Sequence, residues 1–171
     1  GIHPAEPIRT PSEAMIRYLC QQAPWIATIT LAPEQNDPQH IRRLTEAGVH
    51  VVFGIPGLKV HSKLILISRQ EGTQLRRYAH IGTGNFNEKT ARIYTDLALF
   101  TANQEIAEDV RHVFDFIRHT YRRHKFRHLA VSPLTNRSTF LRLIHAEVLN
   151  ARAGRPAAIF LKCNNVVDEE L

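Results

Sequence analysis

A histidine and a lysine two positions apart are the residues of this sequence best suited to chemistry. His61 and Lys63 stand at the start of an apolar run, 64–67, that has the composition of a β-strand. Because strand side chains alternate between two faces, positions 61 and 63 share one face and can meet a single phosphate. A nucleophilic imidazole beside a compact ammonium is half of a phosphoryl-transfer site. An isolated His-x-Lys is more often a solvated strand face, so its neighbours decide the interpretation.

A glycine-flanked segment further along the chain strengthens the phosphoryl-transfer interpretation. It reads Gly82-Thr83-Gly84-Asn85. Neither glycine carries a Cβ, so the backbone can come close to an anion there, and the asparagine adds an amide donor. The predicted catalytic residues are His61, Lys63 and Asn85, and the predicted phosphate-binding residues are Gly82, Thr83 and Gly84.

The composition favours a soluble, cytoplasmic protein that binds polyanions. The sequence has 171 residues, with 22 lysines and arginines against 16 acidic residues and a net charge of +6. Such a charge suits several partners: nucleic acid, nucleotides, inorganic polyphosphate and anionic membranes. It is equally compatible with a basic protein that has no polyanionic partner. Peripheral membrane contact is therefore left open. Two cysteines are too few for a disulfide framework or a zinc cluster. We find no signal peptide and no apolar run of the roughly 20 residues that span a bilayer.

The order of the predicted elements indicates an α/β fold with a mixed sheet flanked by helices. Short strands rich in β-branched residues alternate with segments whose apolar residues recur every three or four positions. The predicted strands lie at 25–32, 49–53, 63–68, 76–81 and 96–100, and the predicted helices at 10–22, 39–47 and 101–119. We expect Thr101 to cap the last of these helices.

A basic connector at 121–128 divides the chain. It places Arg122, Arg123, Lys125 and Arg127 among aromatic residues, which suits a polyanion track and a solvated linker equally. After it we predict strands at 129–132 and 157–162 and a helix at 137–151, too few elements for an independent domain. The predicted organisation is a first domain at 1–120, the connector at 121–128, and the truncated start of a similar second domain at 129–171.

Three segments of the sequence resemble bacterial polyphosphate kinase. They are Gly57-Leu58-Lys59-Val60-His61-Ser62-Lys63, the nineteen-residue block from Tyr78 to Asp96, and Leu161-Lys162-Cys163-Asn164-Asn165. The His-x-Lys and Gly-Thr-Gly-Asn residues also resemble the phospholipase D superfamily signature, with Ser68 where that signature usually has an acidic residue. The resemblance runs from about Arg42 to the last residue, whereas residues 1–41 diverge. It covers the first catalytic domain and the start of the second in a much longer enzyme.

The resemblance implies a phospholipase D-like fold and an ATP:polyphosphate phosphotransferase activity that works through a phosphohistidine at His61. Lys63 and Asn85 would hold phosphoryl oxygens, and Tyr94 would contact the nucleotide. A half-buried strand tyrosine is the structural alternative for position 94. The implied substrates are inorganic polyphosphate and ATP or ADP as the Mg²⁺ complex, with no metal bound by the protein itself. The full-length enzyme would be a homo-oligomer.

Two departures from the family predict that this chain alone is a weak or inactive enzyme. The family carries two arginines upstream of the histidine motif that serve the phosphate and metal end of the site, and residues 31–37 contain none. Its second catalytic histidine lies in the second domain, beyond Leu171. Two other functions fit the residues: a phospholipase D-like phosphodiesterase or nuclease completed by homodimerisation, and a non-catalytic polyanion-binding module.

Two residues near the motif have open roles. His80 suits a structural position better than a catalytic one. Arg92 could reach a phosphate or pair with Asp96, and the sequence does not choose between these partners.

Overall fold

The computed structural model of the chain describes residues 28–30, 38–46, 49–163 and 167–168. The chain divides into two compact units, of which the first ends at Arg127 and the second begins at His128. The predicted helix at 10–22 lies outside the described residues. Of the predicted strand at 25–32, only Thr28–Thr30 is described, and it is a strand.

The described part of the first unit begins with two parallel strands and the helix between them in the chain. They are β1 (Thr28–Thr30), α1 (Pro38–Glu46) and β2 (His50–Val52). Leu44 and Val49 are buried, and Ile41 and Val51 pack against them. The three-residue spacing of Ile41 and Leu44 on α1 explains this packing, because it puts both side chains on one helix face. The helix and the second strand predicted from the sequence are therefore confirmed.

The candidate site is built on a second, antiparallel sheet. Its strands, in the order β3-β4-β5, are β3 (Lys63–Glu71), β4 (Gln74–Gly82) and β5 (Ala98–Thr101). Gly72 turns the β3-β4 hairpin with a φ of 60°, a left-handed conformation that glycine adopts without a steric penalty. The predicted hairpin is confirmed, with longer strands and a tighter turn. Parallel and antiparallel pairs both occur, but the described strands form two separate sheets instead of one mixed sheet.

One long helix covers this antiparallel sheet. After the short α2 (Glu88–Ala91), α3 (Gln104–Arg118) packs on β4 and β3. Its buried apolar residues recur at helical spacing, and burial of each valine or isoleucine among them is worth roughly 1.5–3 kcal/mol. They are Ala107, Val110, Val113 and Ile117. The predicted cap at Thr101 is wrong: the side chain of Asn103 accepts the backbone N–H groups of Glu105 and Ile106.

Polar contacts fix α3 against β4. The side-chain amide of Gln104 donates to the carbonyl of Arg77 at 3.0 Å, and its oxygen accepts the Arg77 N–H at 3.1 Å. Glu108 accepts Nη1 of Arg77 at 2.9 Å and Nη2 of Arg111 at 2.6 Å. The hydrogen bond from Arg111 is the main reason that the pKa of Glu108 lies below its usual value. Hydrogen bonds and ion pairs therefore hold α3 on the sheet in addition to its apolar packing.

The second unit contains α4 (Asn136–Arg152), which confirms the helix predicted there. None of its residues is buried, and Arg137 at its start pairs with Asp168 at 2.8 Å. The strands predicted at 129–132 and 157–162 are wrong, because the described residues of this unit contain no strand. A strand needs a neighbour to complete its ladder of hydrogen bonds, and these segments have no such neighbour among the described residues.

Candidate active site

His61 and Lys63 meet at the start of β3. The Lys63 Nζ lies 3.0 Å from Nδ1 and 3.1 Å from Nε2 of His61, and it donates to the His61 carbonyl oxygen at 2.6 Å. Lys63 is buried, with 8% of its surface exposed, whereas His61 is exposed. An ammonium group only donates, so the ring nitrogen that accepts its hydrogen carries a lone pair. The site therefore holds an accessible imidazole with a fixed positive charge beside it.

The glycine-flanked segment begins at the same end of the sheet as this pair. Gly82 is the antiparallel partner of Lys63 across β3 and β4, and it is also paired with Ala98 of β5. The next residues turn out of the sheet, and Asn85 is exposed three positions later. The strand register thus brings His61 and Lys63 to the end of the sheet from which the segment that contains Asn85 leads out.

The two glycines of this segment lie close against neighbouring side chains. A Cβ at Gly82 would lie 2.7 Å from Cε1 of the His80 ring, and a Cβ at Gly84 would lie 2.4 Å from Oδ2 of Asp96. Neither glycine has a positive φ. Close approach of an imidazole and a carboxylate, rather than an unusual backbone conformation, explains why both positions lack a side chain.

Through hydrogen bonds, Thr83 holds the glycine-flanked segment to the residues that lead into β5. Its hydroxyl donates to Oδ1 of Asp96 at 2.9 Å and accepts the N–H of Leu97 at 3.0 Å. The Thr83 N–H donates to the Leu97 carbonyl at 3.0 Å. The sequence identified Thr83 but gave Asp96 no part in holding the loop. No local spacing signals this contact, because the partners are thirteen residues apart and are brought together by the return of the chain into β5.

His80 lies behind the glycine segment as a packing residue. Its ring centre is 4.7 Å from that of Phe100 and 5.3 Å from that of Phe86, and 9% of its surface is exposed. Its Nδ1 is buried without a hydrogen-bond partner. Burial lowers the pKa of His80 below its ordinary value, so the ring is neutral at pH 7. This environment agrees with the structural role expected from the sequence.

Tyr94 and Arg92 lie between α2 and β5. Tyr94 is 59% exposed and stands outside any strand, which contradicts the alternative of a half-buried strand tyrosine. The Arg92 guanidinium pairs with Glu88, one turn earlier, and not with Asp96. The tyrosine ring is therefore available at the surface.

The described residues contain neither a metal cluster nor a membrane-spanning helix. No three or more His, Cys, Asp and Glu side chains among them are grouped so that they could hold a metal ion. Within the same ranges, no helix has both the length and the apolar character that crossing a bilayer requires.

Comparisons with known proteins identify the family. Residues 32–123 match the family described as polyphosphate kinase C-terminal domain 1, and residues 129–171 match polyphosphate kinase C-terminal domain 2. These matches cover most of the chain. The chain belongs to the polyphosphate kinase family.

Individual relatives agree with this assignment. The chain is 57% identical to the polyphosphate kinase of Vibrio cholerae over 138 residues, which are 81% of this chain and 20% of that protein. It is 55% identical to the polyphosphate kinase of Escherichia coli K12 over 138 residues, with the same coverage. The crystal structure of polyphosphate kinase from Porphyromonas gingivalis superposes with a TM-score of 0.69 at 31% identity, covering 86% of this chain and 26% of that one. The chain spans about one fifth of the length of the curated relatives it matches.

Proposed function

We propose that this chain is the phosphate-accepting part of a polyphosphate kinase, in which His61 carries a phosphoryl group between ATP and inorganic polyphosphate. The observation that carries the proposal is the exposed imidazole of His61 with the Lys63 ammonium 3.0 Å from its Nδ1. An exposed nitrogen can reach a phosphorus atom, and a buried lysine beside it can neutralise the oxygens of the phosphoryl group.

The proposed reaction has two balanced steps. A lone pair on the His61 ring attacks the γ-phosphorus of ATP, a nitrogen–phosphorus bond forms, and the bond to the bridging oxygen breaks so that ADP leaves with its electron pair. A terminal oxygen of polyphosphate then attacks the same phosphorus and displaces the imidazole. The reverse sequence makes ATP. In both steps the protein positions the groups and balances their charge.

The other site residues have supporting roles in this proposal. Asn85 donates its amide to a phosphoryl oxygen, and the backbone of Gly82, Thr83 and Gly84 approaches the phosphate. Because the Thr83 hydroxyl is already bonded to Asp96, we assign Thr83 chiefly to holding the shape of the segment. The exposed ring of Tyr94 offers a face or a hydroxyl to the nucleotide. Mg²⁺ enters with ATP or ADP as part of the substrate.

The proposed domain organisation is a phospholipase D-like first catalytic domain at 1–120, a connector at 121–128, and the start of a second catalytic domain at 129–171. Since the chain spans about one fifth of its relatives, we assign full activity to a longer cytoplasmic enzyme that is a homo-oligomer. The chain by itself should be a weak or inactive kinase, because the second catalytic histidine of the family lies outside it.

Transfer of label from ATP tests the proposed function. The chain is incubated with ATP labelled at the γ-phosphate, and protein-bound phosphate that is labile in acid is mapped. We expect a low level of label on His61, in line with a weak enzyme, and none in a His61→Ala variant. His50→Ala is the matched control, because His50 is an exposed histidine on another strand and its loss should leave labelling unchanged. Label that persists without His61, or cleavage of a simple phosphodiester in the absence of nucleotide, would overturn the proposal.

A further inference from the structure

Three cations of the connector form a surface that the proposed chemistry at His61 does not use. This connector surface consists of Arg122, Arg123 and Lys125, all of them exposed. No ion pair within the described residues involves any of the three. Most arginines elsewhere in the described part of the first unit are paired with an acidic residue, as in Arg77 with Glu108. The positive charge of the connector surface is therefore available to a ligand.

The backbone beneath the connector surface is held in place. The His124 ring stacks on that of His112 of α3, with centres 4.8 Å apart and planes inclined by 28°. The Arg127 N–H donates to both oxygens of the buried Asp109 at 2.9 and 3.2 Å, and its guanidinium contacts Glu105 at 3.1 Å. A segment fixed at two points loses little conformational entropy when its cations bind an anion.

The exposure of the connector alternates along the chain. His124 and Phe126 are half-buried, while Arg123, Lys125 and Arg127 between and beside them are exposed. Alternation with a period of two is typical of an extended segment, in which residues two apart are separated by roughly 6.5–7 Å on the same side. The Arg127 guanidinium is paired with Glu105, so Arg123 and Lys125 are the two cations of this alternating segment that are exposed without an ion pair in the described residues. A row of cations suits a linear polyanion better than a compact one.

The aromatic residues of the connector favour a polyanion without bases. The Phe126 ring meets His112 edge to face at 6.2 Å, and Tyr121 has the Arg122 guanidinium over its ring at 5.9 Å and His119 beside it at 5.9 Å. Proteins that bind single-stranded nucleic acid without sequence preference combine cations with aromatic faces on which bases stack. Here the His124 and Phe126 rings pack against His112, and Tyr121, which is 76% exposed, is the one tyrosine or phenylalanine ring of the connector with an open face, whereas a run of bases needs several such rings.

From these observations we infer that the connector surface binds an inorganic polyphosphate chain at a position separate from His61. The inference rests on the proposed function for the identity of the polyanion, since that function makes polyphosphate a substrate. Such a surface would retain the polymer while its end reacts. The contacts are electrostatic, so they add affinity for long chains and do not take part in the transfer step.

Binding of defined-length polyphosphate, without nucleotide, tests the inference on the 171-residue chain. The test variant is Arg123→Gln/Lys125→Gln, and the charge-matched control is Arg142→Gln/Arg152→Gln, which removes two exposed cations from α4. We expect the test variant to lose on the order of tenfold in affinity and to lower the slope of log Kd against log salt by roughly 1.4, which is two contacts at about 0.7 each. The control should change neither quantity by a comparable amount. The charge-preserving variant Arg123→Lys/Lys125→Arg should bind as the parent does.

The outcomes separate this inference from the proposed function. Binding should survive His61→Ala, and labelling of His61 by ATP should survive Arg123→Gln/Lys125→Gln. Equal losses of polyphosphate affinity in the test and control variants would mean a general effect of charge and would overturn the inference that the connector surface binds the polymer. So would tighter binding of oligothymidylate than of polyphosphate of equal charge, which would indicate a nucleic-acid site. Label that persists in His61→Ala would overturn the proposed function alone.

Discussion

Replacement of Gly84 by alanine should destabilise the first unit through a collision with Asp96. The added Cβ would lie 2.4 Å from Oδ2 and 2.6 Å from Cγ of Asp96. Both distances are far inside the separation of about 3.5–4.0 Å at which non-bonded heavy atoms are in favourable contact. The Asp96 carboxylate must therefore swing away from the loop, and this movement breaks its hydrogen bond with Thr83.

The expected size of the effect follows from that hydrogen bond. A hydrogen bond to a charged group contributes roughly 1.5–3 kcal/mol, and exposure of both Thr83 and Asp96 to solvent places this one at the lower end. Replacing glycine by alanine also restricts the unfolded chain, which stabilises the fold by about 0.4–1 kcal/mol. The net destabilisation is therefore about 1 kcal/mol, equivalent to a fall in Tm of roughly 2–4 °C for a chain of this size.

A double-mutant cycle in urea, followed by circular dichroism, measures this coupling. Gly84→Ala, Asp96→Ala and the double variant are compared with the parent chain. Asp96→Ala removes the carboxylate and leaves a Cβ 3.0 Å from the one added at position 84, so in that background Gly84→Ala should be neutral or stabilising by up to about 1 kcal/mol, and the coupling free energy should be about 1–2 kcal/mol. Asp96→Asn is the matched control, because it keeps the colliding group; part of the cost of Gly84→Ala should remain, reduced because an amide oxygen accepts a weaker hydrogen bond than a carboxylate. A Gly84→Ala variant that is more stable than the parent, or whose cost does not depend on Asp96, would refute the reasoning.

Three further outcomes follow from contacts in the first unit. Asn103→Ala should cost about 1 kcal/mol in urea denaturation by removing the cap of α3, while Asn103→Ser should restore most of it. Asp109→Ala should cost roughly 1–3 kcal/mol and speed tryptic cleavage after Arg127, because the N–H of that arginine loses the buried carboxylate that accepts it; Asp109→Asn should be milder. Burial lowers the pKa of His80, so as the pH falls the unfolded state takes up the proton before the folded state does. The contribution of His80 to the free energy of unfolding should therefore be fully present above about pH 6.5 and decrease as the pH falls below it. In urea denaturation at several pH values, His80→Leu should reduce this pH dependence.

Local sequence signals predicted the helices well and the strands less well. The spacing of Val110, Val113 and Ile117 predicted the buried face of α3, because helical periodicity is a property of the segment itself. The start of that helix was misplaced because Thr101 and Asn103 are both good capping residues. Pairing of Thr101 with Ala79 extends β5 to residue 101 and leaves the cap to Asn103. A strand pairing thus determines which of two suitable residues caps α3, which the local capping preferences alone do not determine.

The incorrect strands of the second unit have a similar cause. Residues 129–132 and 157–162 have the apolar and β-branched composition of strands, but a strand also needs a hydrogen-bonded neighbour, and the described residues of this unit provide none. Composition measures how well a residue suits a pleated surface. It does not report whether a neighbouring strand is present, so the same segments are irregular among the residues described here.

The candidate site was predictable where it depends on spacing and unpredictable where it depends on the path of the chain. The two-residue separation of His61 and Lys63 predicted that their side chains converge, and their contact at 3.0 Å agrees. The reason for two glycines beside Thr83 was not predictable. It depends on the ring of His80 and on the return of Asp96 into the loop, neither of which a local pattern reveals.

The contact between Lys63 and His61 also bears on how the proposed reaction would begin. An ammonium that donates to a ring nitrogen occupies the lone pair that must attack phosphorus. A phosphoryl group competes for the same ammonium, and its oxygens carry negative charge, so they attract the ammonium by a Coulomb interaction that an uncharged ring nitrogen does not supply. Arrival of the substrate would therefore draw Lys63 onto a phosphoryl oxygen and release the nitrogen at the moment when its target is within reach. The burial of Lys63 favours this exchange, because a desolvated ammonium has little water to take the place of either partner.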